Sequence, residues 1–195
     1  GLKGIASTPA RVDFTKLKWF NGKYIRELFK ADPARYWALL RPHFVQAGFL
    51  SDSGVAAEAE ARAEAIGALF HDRLEYFAQI AELAQYFYQA PSAYPADEVA
   101  KAKVTEASLT LLSGLVEVLE GVTEWSHDSL DATLRDYTTA QGVKFGDLVH
   151  PLRLALTGST ASPGIFDVLQ LLGRTETQRR IQSLCHADLA LPTSP

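Results

Sequence analysis

Arg153 stands nine residues before Ser162, with Gly158 between them, and Ser162 opens the string Ser162-Pro163-Gly164-Ile165. The guanidinium is a planar fork of donors. A helix starting at Ser162-Pro163 would offer unpaired N–H groups at the positive end of a helix dipole. Gly164 leaves the backbone open to close approach, and Ile165 can lay an apolar face against a flat ring. Groups of these kinds hold splayed-out, single-stranded RNA bases, which proteins read by stacking and by hydrogen bonds to base edges. The same residues also suit an ordinary capped helix with a solvated arginine, and chemistry alone leaves both readings open.

The remaining reactive side chains do not assemble into a catalytic centre. His43, His71, His127, His150 and His186 are scattered, and none pairs with a second ligand at helical spacing, so no metal site is expected. His71-Asp72 with Glu75, and Cys185-His186, lack a third partner and read as structural. There is no Gly-rich phosphate loop, nucleophile elbow or carboxylate pair in an apolar setting. No catalytic residue is expected.

Helical periodicity must position these groups, because no segment alternates long enough for a half-buried strand. The expected fold class is all-α and multihelical. Asp13 should cap a short helix carrying Phe14, Leu17 and Phe20, broken at Asn21-Gly22 and resumed over residues 24–29. Asp32-Pro33 should start a helix that buries Trp37, Leu40 and Phe44. Ser53 should open the next, whose Ala/Glu-rich run 55–68 lies on the surface, and a helical pattern continues from Leu74 through Phe87. Residues 90–96, with Pro91 and Pro95, form the expected linker and domain boundary. Beyond it, Asp97, Thr105 and Ser126 should each start a helix, with Gly121 and Gly142 as stops. Residues 144–157 form a helix with Pro151 in its middle, 157–160 a loop, and Ser162-Pro163 a helix ending at Gly173; Thr175 and Gln178 offer a capping box for the last.

With 195 residues, 47% of them hydrophobic and 22% charged, the composition is that of a folded globular protein and excludes disorder. No apolar run approaches the roughly 20 residues a membrane span requires, and residues 1–10 lack the apolar block of a secretory signal, so a soluble, cytoplasmic protein is expected. A single Cys185 allows no internal disulfide. The chain contains no methionine, from which a piece of a longer chain is expected. The net charge of -4 conceals a polarised distribution: nine Lys/Arg against three acids over 1–50, five against sixteen over 51–140, and five against four over 141–195. Local field, not total charge, attracts an anion, so an RNA-binding surface is compatible with an acidic protein.

Two stretches, 13–26 (DFTKLKWFNGKYIR) and 148–173 (LVHPLRLALTGSTASPGIFDVLQLLG), resemble bacterial glutamyl-tRNA synthetase. The first is similar to that family's D-x-x-K-L-x-W-x-N-x-x-Y-I segment, the second to its P-L-R-x-A-L-T-G followed by S/T-P-G, in the same order. Between them, residues 72–88 are similar in spacing to a helix ending in the family's R-x-F-Y type segment. The resemblance implies the carboxy-terminal half of such an enzyme: the end of a tRNA stem-contact region over 1–30 and two consecutive helical anticodon-binding subdomains over 31–92 and 93–195. Carried over, Arg153, Ser162, Pro163 and Ile165 would contact the first two anticodon bases, and Arg73 would read the third, a cytosine in glutamate tRNA. The implied partner is tRNA(Glu), with no DNA or membrane partner and a monomeric state. Neither ATP-handling signature, of the His-Ile-Gly-His or the Lys-Met-Ser-Lys-Ser type, occurs here. Ligation of glutamate, with its ATP and Mg2+, is therefore expected of the parent chain, and no cofactor of this fragment. The alternative is a helical protein-interaction module that binds through the 55–85 surface without RNA.

Overall fold

The computed structural model describes residues 13–189 and Leu191, so the first twelve residues of the expected stem-contact stretch lie outside it. The described residues form ten α-helices and no strand, the all-α class expected. The chain divides into two compact units between Glu82 and Leu83.

The first unit is built on α1 (Phe14–Ala31), α2 (Pro33–Gln46) and α3 (Ala57–Leu69). Asp13 caps α1 by accepting from the Thr15 and Lys16 N–H groups at 3.1 Å, and Asp32 caps α2 by accepting from Arg35 N–H at 3.0 Å. The expected break at Asn21-Gly22 is absent, and α1 runs through it. Gly22 is buried where a Cβ would lie 3.2 Å from the Leu74 carbonyl oxygen, so the glycine admits the 70–76 turn instead of ending the helix. Asn21 Nδ2 donates to the Glu75 carbonyl of the same turn. The face that α1 buries is Gly22, Ile25 and Leu28, whereas Phe14, Leu17 and Phe20 are exposed.

α2 buries Tyr36, Leu40 and Phe44; Tyr36 takes the place expected of Trp37 because its hydroxyl finds the Gly67 carbonyl at 2.8 Å. Trp37 stays half-buried and donates its indole N–H to Glu60 at 3.1 Å. α3 starts at Ala57 with no side-chain cap, not at Ser53, and one edge of this supposedly superficial helix, Ala63, Ile66 and Gly67, is core. The long helix expected from Leu74 to Phe87 is broken into a turn, two short 3-10 turns (Phe77–Gln79 and Gln85–Phe87) and α4 (Ile80–Leu83). Gln79 Oε1 accepts from the Glu75 N–H at 2.6 Å and the Tyr76 N–H at 3.2 Å, so a side chain takes donors that a continuous helix would pair along its own backbone.

The second unit contains α5 (Ala96–Lys101), α6 (Glu106–Glu120), α7 (His127–Ala140), α8 (Phe145–Thr157), α9 (Ile165–Leu172) and α10 (Arg174–Cys185). It begins ten residues ahead of the boundary placed after residue 92, because the turn Gln85–Phe87 packs on α8 and Phe87 is buried. Thr105 and Ser108 cap α6 reciprocally at 3.2 and 2.9 Å, and Ser126 caps α7. Leu115, Leu119, Leu134, Leu152, Leu169 and Ile181 are fully buried, and α10 packs on α6 and α8. The capping box expected at Thr175 does not form: Gly173, at φ 76°, turns the chain directly from α9 into α10, and the last helix starts two residues earlier than that cap would place it, at Arg174.

Candidate nucleic-acid interface

α8 carries Pro151 inside it, whose missing N–H leaves the Asp147 carbonyl without its helical donor, and ends at Thr157. Gly158 adopts the left-handed conformation, φ 73°, and its N–H closes the helix on the Leu154 carbonyl at 2.8 Å. Residues 158–164 then form a loop secured from two helices. From α8, Arg153 Nη1 donates to the carbonyls of Ser162 at 3.1 Å and Pro163 at 2.6 Å, and to the Ser162 hydroxyl. From α5, Glu98 Oε2 accepts the Thr160 N–H and, at 2.8 Å, the Thr160 hydroxyl. The other Glu98 oxygen takes the Lys101 ammonium at 2.8 Å. Lys101 first, and then the two Thr160 donors, hold the Glu98 carboxyl down to about 2. The Thr157 hydroxyl accepts from Ser159 N–H at 3.2 Å, which fixes the first turn of the loop.

Arg153, Ser162, Pro163 and Ile165 are thus brought together, but not as a helix start at Ser162-Pro163. α9 begins at Ile165 with Gly164 before it, and the Pro163 carbonyl turns back to Arg153. The later start puts Ile165 on one stripe with Val168, Leu169 and Leu172, all buried. Its apolar face therefore serves the core and not a ring; Ile165 is 5% exposed and Ser162 9%. Ala161 and Gly164 are the exposed residues of the loop, and Gly158, Ser159 and Thr160 are half-buried. No side chain caps the first turn of α9, so its leading N–H groups are the donors presented there. The side of Gly164 that a Cβ would occupy is taken by the Asp167 carboxylate. Half-buried Phe166 follows, its ring 5.2 Å from His127 and 6.1 Å from Phe145.

Arg73 belongs to the first unit, exposed on the turn after α3 and not on a helix; its N–H donates to the Phe70 carbonyl at 2.9 Å. Glu75, two residues further on, lies 3.6 Å from Lys18. The residue that sequence reasoning missed is Glu98, whose only local signature was an acid in the first turn of a short helix. Among the described residues no three His, Cys, Asp or Glu side chains gather as a metal site. No helix of the described residues is long and apolar enough to cross a membrane.

The second unit is thus an all-helical unit that presents a clasped loop beside an uncapped helix start. Residues 35–185 match the anticodon binding domain family, and the chain belongs to that family. It is 36% identical over 170 residues to the glutamate–tRNA ligase of Thermus thermophilus, covering 87% of this chain and 34% of that protein. It is 37% identical over 188 residues to glutamate–tRNA ligase 1 of Sphingopyxis alaskensis, covering 95% and 37%. Among solved structures, a crystal structure of a glutamate tRNA ligase from Elizabethkingia meningosepticum in complex with its amino acid superposes with a TM-score of 0.77 at 22% identity, over 95% of this chain and 34% of that one, which shows the shared fold. The chain spans about a third of the length of the curated relatives it matches.

Proposed function

We propose that this chain is the anticodon-reading part of a glutamate–tRNA ligase and recognises tRNA(Glu). The observation that carries the reading is the grip of Arg153 on Ser162 and Pro163, which fixes a loop beside an uncapped helix start in a chain of the anticodon binding domain family. Arg153 then works chiefly by shaping this loop, with Ser162, Pro163 and Ile165 as its buried frame. The first two anticodon bases, unstacked, meet the exposed Gly164 edge and the leading N–H groups of α9. A carboxylate beside Gly164 repels a phosphate but accepts from an exocyclic amino group, so this edge suits a base and not the backbone. Arg73, on the other unit, reads the third base through a guanidinium that can donate to cytosine O2 and N3. On this reading the protein works as a cytoplasmic monomer, and ligation with ATP and Mg2+ belongs to the part of the relatives outside the matched third.

The test is a filter-binding titration of the chain against tRNA(Glu) and against the same tRNA altered in its anticodon, repeated over a range of salt. Native tRNA should bind more tightly, with affinity falling steeply as salt rises. Arg153→Ala should weaken binding by about 1–3 kcal/mol, roughly 5- to 150-fold, and Arg73→Gln should relax the preference at the third base alone. Equal, salt-insensitive binding of both tRNAs would refute the proposal and favour a protein-interaction module.

A further inference from the structure

In the second unit, the end of α5, the first turns of α6, the end of α7 and the start of α8 enclose a groove of about 800 Å³. One glycine shapes it. A Cβ on Gly114 would stand 2.5 Å from the Tyr137 hydroxyl, so only a glycine lets Tyr137 lie across α6 and donate to the Leu111 carbonyl at 2.8 Å. Gly146 puts no side chain beside the exposed ring of His150, from which even a Cβ would be 3.7 Å away. The rim carries exposed Lys103 and Lys144. Among the described residues neither lysine has a carboxylate within 4.0 Å, whereas Lys101 nearby is held by both Asp97 and Glu98 at 2.9 and 2.8 Å. The acid that lines the groove, Asp147, is engaged at the start of α8, where it accepts the Lys144 backbone N–H at 3.2 Å.

We propose that this groove takes one further nucleotide of the RNA strand whose anticodon the loop reads, its base against Tyr137 and His150 and its phosphate at Lys103 and Lys144. The inference rests on the anticodon reading above. Two observations select a nucleotide over an apolar peptide. The rim sets two lysines against the single Asp147 carboxylate, a net positive charge that attracts a polyanion. The groove also borders the helix that clasps the loop: His150 lines it, and Arg153 is the i+3 residue on the same helix, about 4.5 Å further along the axis. A strand leaving the loop can therefore follow α8 into the groove.

The experiment measures tRNA binding by the whole chain as a function of salt. Lys103→Ala/Lys144→Ala should weaken tRNA(Glu) binding about tenfold at moderate salt and reduce the slope of log affinity against log salt by about 1.4, the release expected for two phosphate contacts on a single strand. Lys103→Arg/Lys144→Arg should restore both. His150→Ala should lower affinity severalfold with the slope unchanged, because it removes the ring and neither lysine. All three variants lie on the surface, and circular dichroism identical to the wild type confirms the fold. If wild-type chain binds tRNA and the double alanine variant binds with the same affinity and slope, the groove is not an RNA site and is left to a protein segment, while the anticodon reading stands. If the wild-type chain does not bind tRNA, both fall together.

Discussion

Glu98→Gln tests whether the loop between α8 and α9 is held in place before RNA arrives. The Glu98 carboxyl lies at about 2 instead of the ordinary 4.5, a difference that corresponds to roughly 3 kcal/mol of preference for the charged form. Part of that comes from Lys101, whose side chain is 57% exposed against 17% for Glu98, so its share is screened by water and salt. The two donors of Thr160 supply the next largest part, and a charge-assisted hydrogen bond is typically worth about 1.5 kcal/mol. Glutamine keeps the shape and one acceptor oxygen but loses the charge. Amide hydrogen exchange reads the result directly: Thr160 should exchange about tenfold faster in the variant, while core amides of α6 such as Leu115 are unchanged. The sign with pH follows from a carboxyl whose folded value is depressed. Its contribution is complete above about 4.5 and is lost as pH falls toward about 2. Wild-type protection at Thr160, corrected for intrinsic exchange, should therefore decline in that window, and that of the variant should not. Equal Thr160 exchange in the two proteins at neutral pH would refute the tether.

Gly67→Ala should destabilise the first unit, although alanine is the better helix former by about 1 kcal/mol. A Cβ there would meet Leu40 Cδ2 at 2.6 Å, and Leu40 is fully buried, so overpacking of about 1–3 kcal/mol outweighs the propensity gain; thermal unfolding at a raised Tm would contradict this. In the second unit, Arg179 and then Arg180 hold Glu176 down to about 2, and Arg180 is 2% exposed. Glu176→Gln should cost about 3 kcal/mol in a urea titration at neutral pH by leaving that guanidinium with chiefly the Leu156 carbonyl. The wild type should lose this stability as pH falls from about 4.5 toward 2, and an acid limb as steep in the variant would count against the pair.

The helices whose first turn is closed by a side chain were legible in the sequence. Asp13, Asp32, Thr105 and Ser126 each supply the oxygen that local spacing demands, and each caps the helix expected of it. Ser53, Ser162 and Thr175 looked equally suitable and cap nothing, because α3, α9 and α10 start where burial and a glycine turn put them. Gly22 misled for a related reason: the contact that requires a missing Cβ comes from Leu74, far along the chain, and a single-residue propensity cannot register it. The Leu74-to-Phe87 stretch has helical spacing, yet one glutamine oxygen reclaims two of its backbone donors.

The same division between near and far runs through the candidate site. Arg153 and Ser162 were legible as a pair because nine residues and one turn separate them, but their roles were not. The guanidinium looked like a reader of bases, and its Nη1 is bonded to the loop's own oxygens. Glu98, which holds the other end of that loop, lies 62 residues from Thr160 and passes for an acid complementing the dipole of α5. A loop fixed at both ends loses little conformational freedom when a base arrives, so binding free energy is not consumed in ordering it. Loosening either anchor should consequently weaken recognition of every anticodon alike before it alters which base is preferred. That separates a residue that shapes the loop from one that reads through it: Arg153→Lys should lower affinity for native and altered tRNA by the same factor, and a selective loss would return Arg153 to the role of reader.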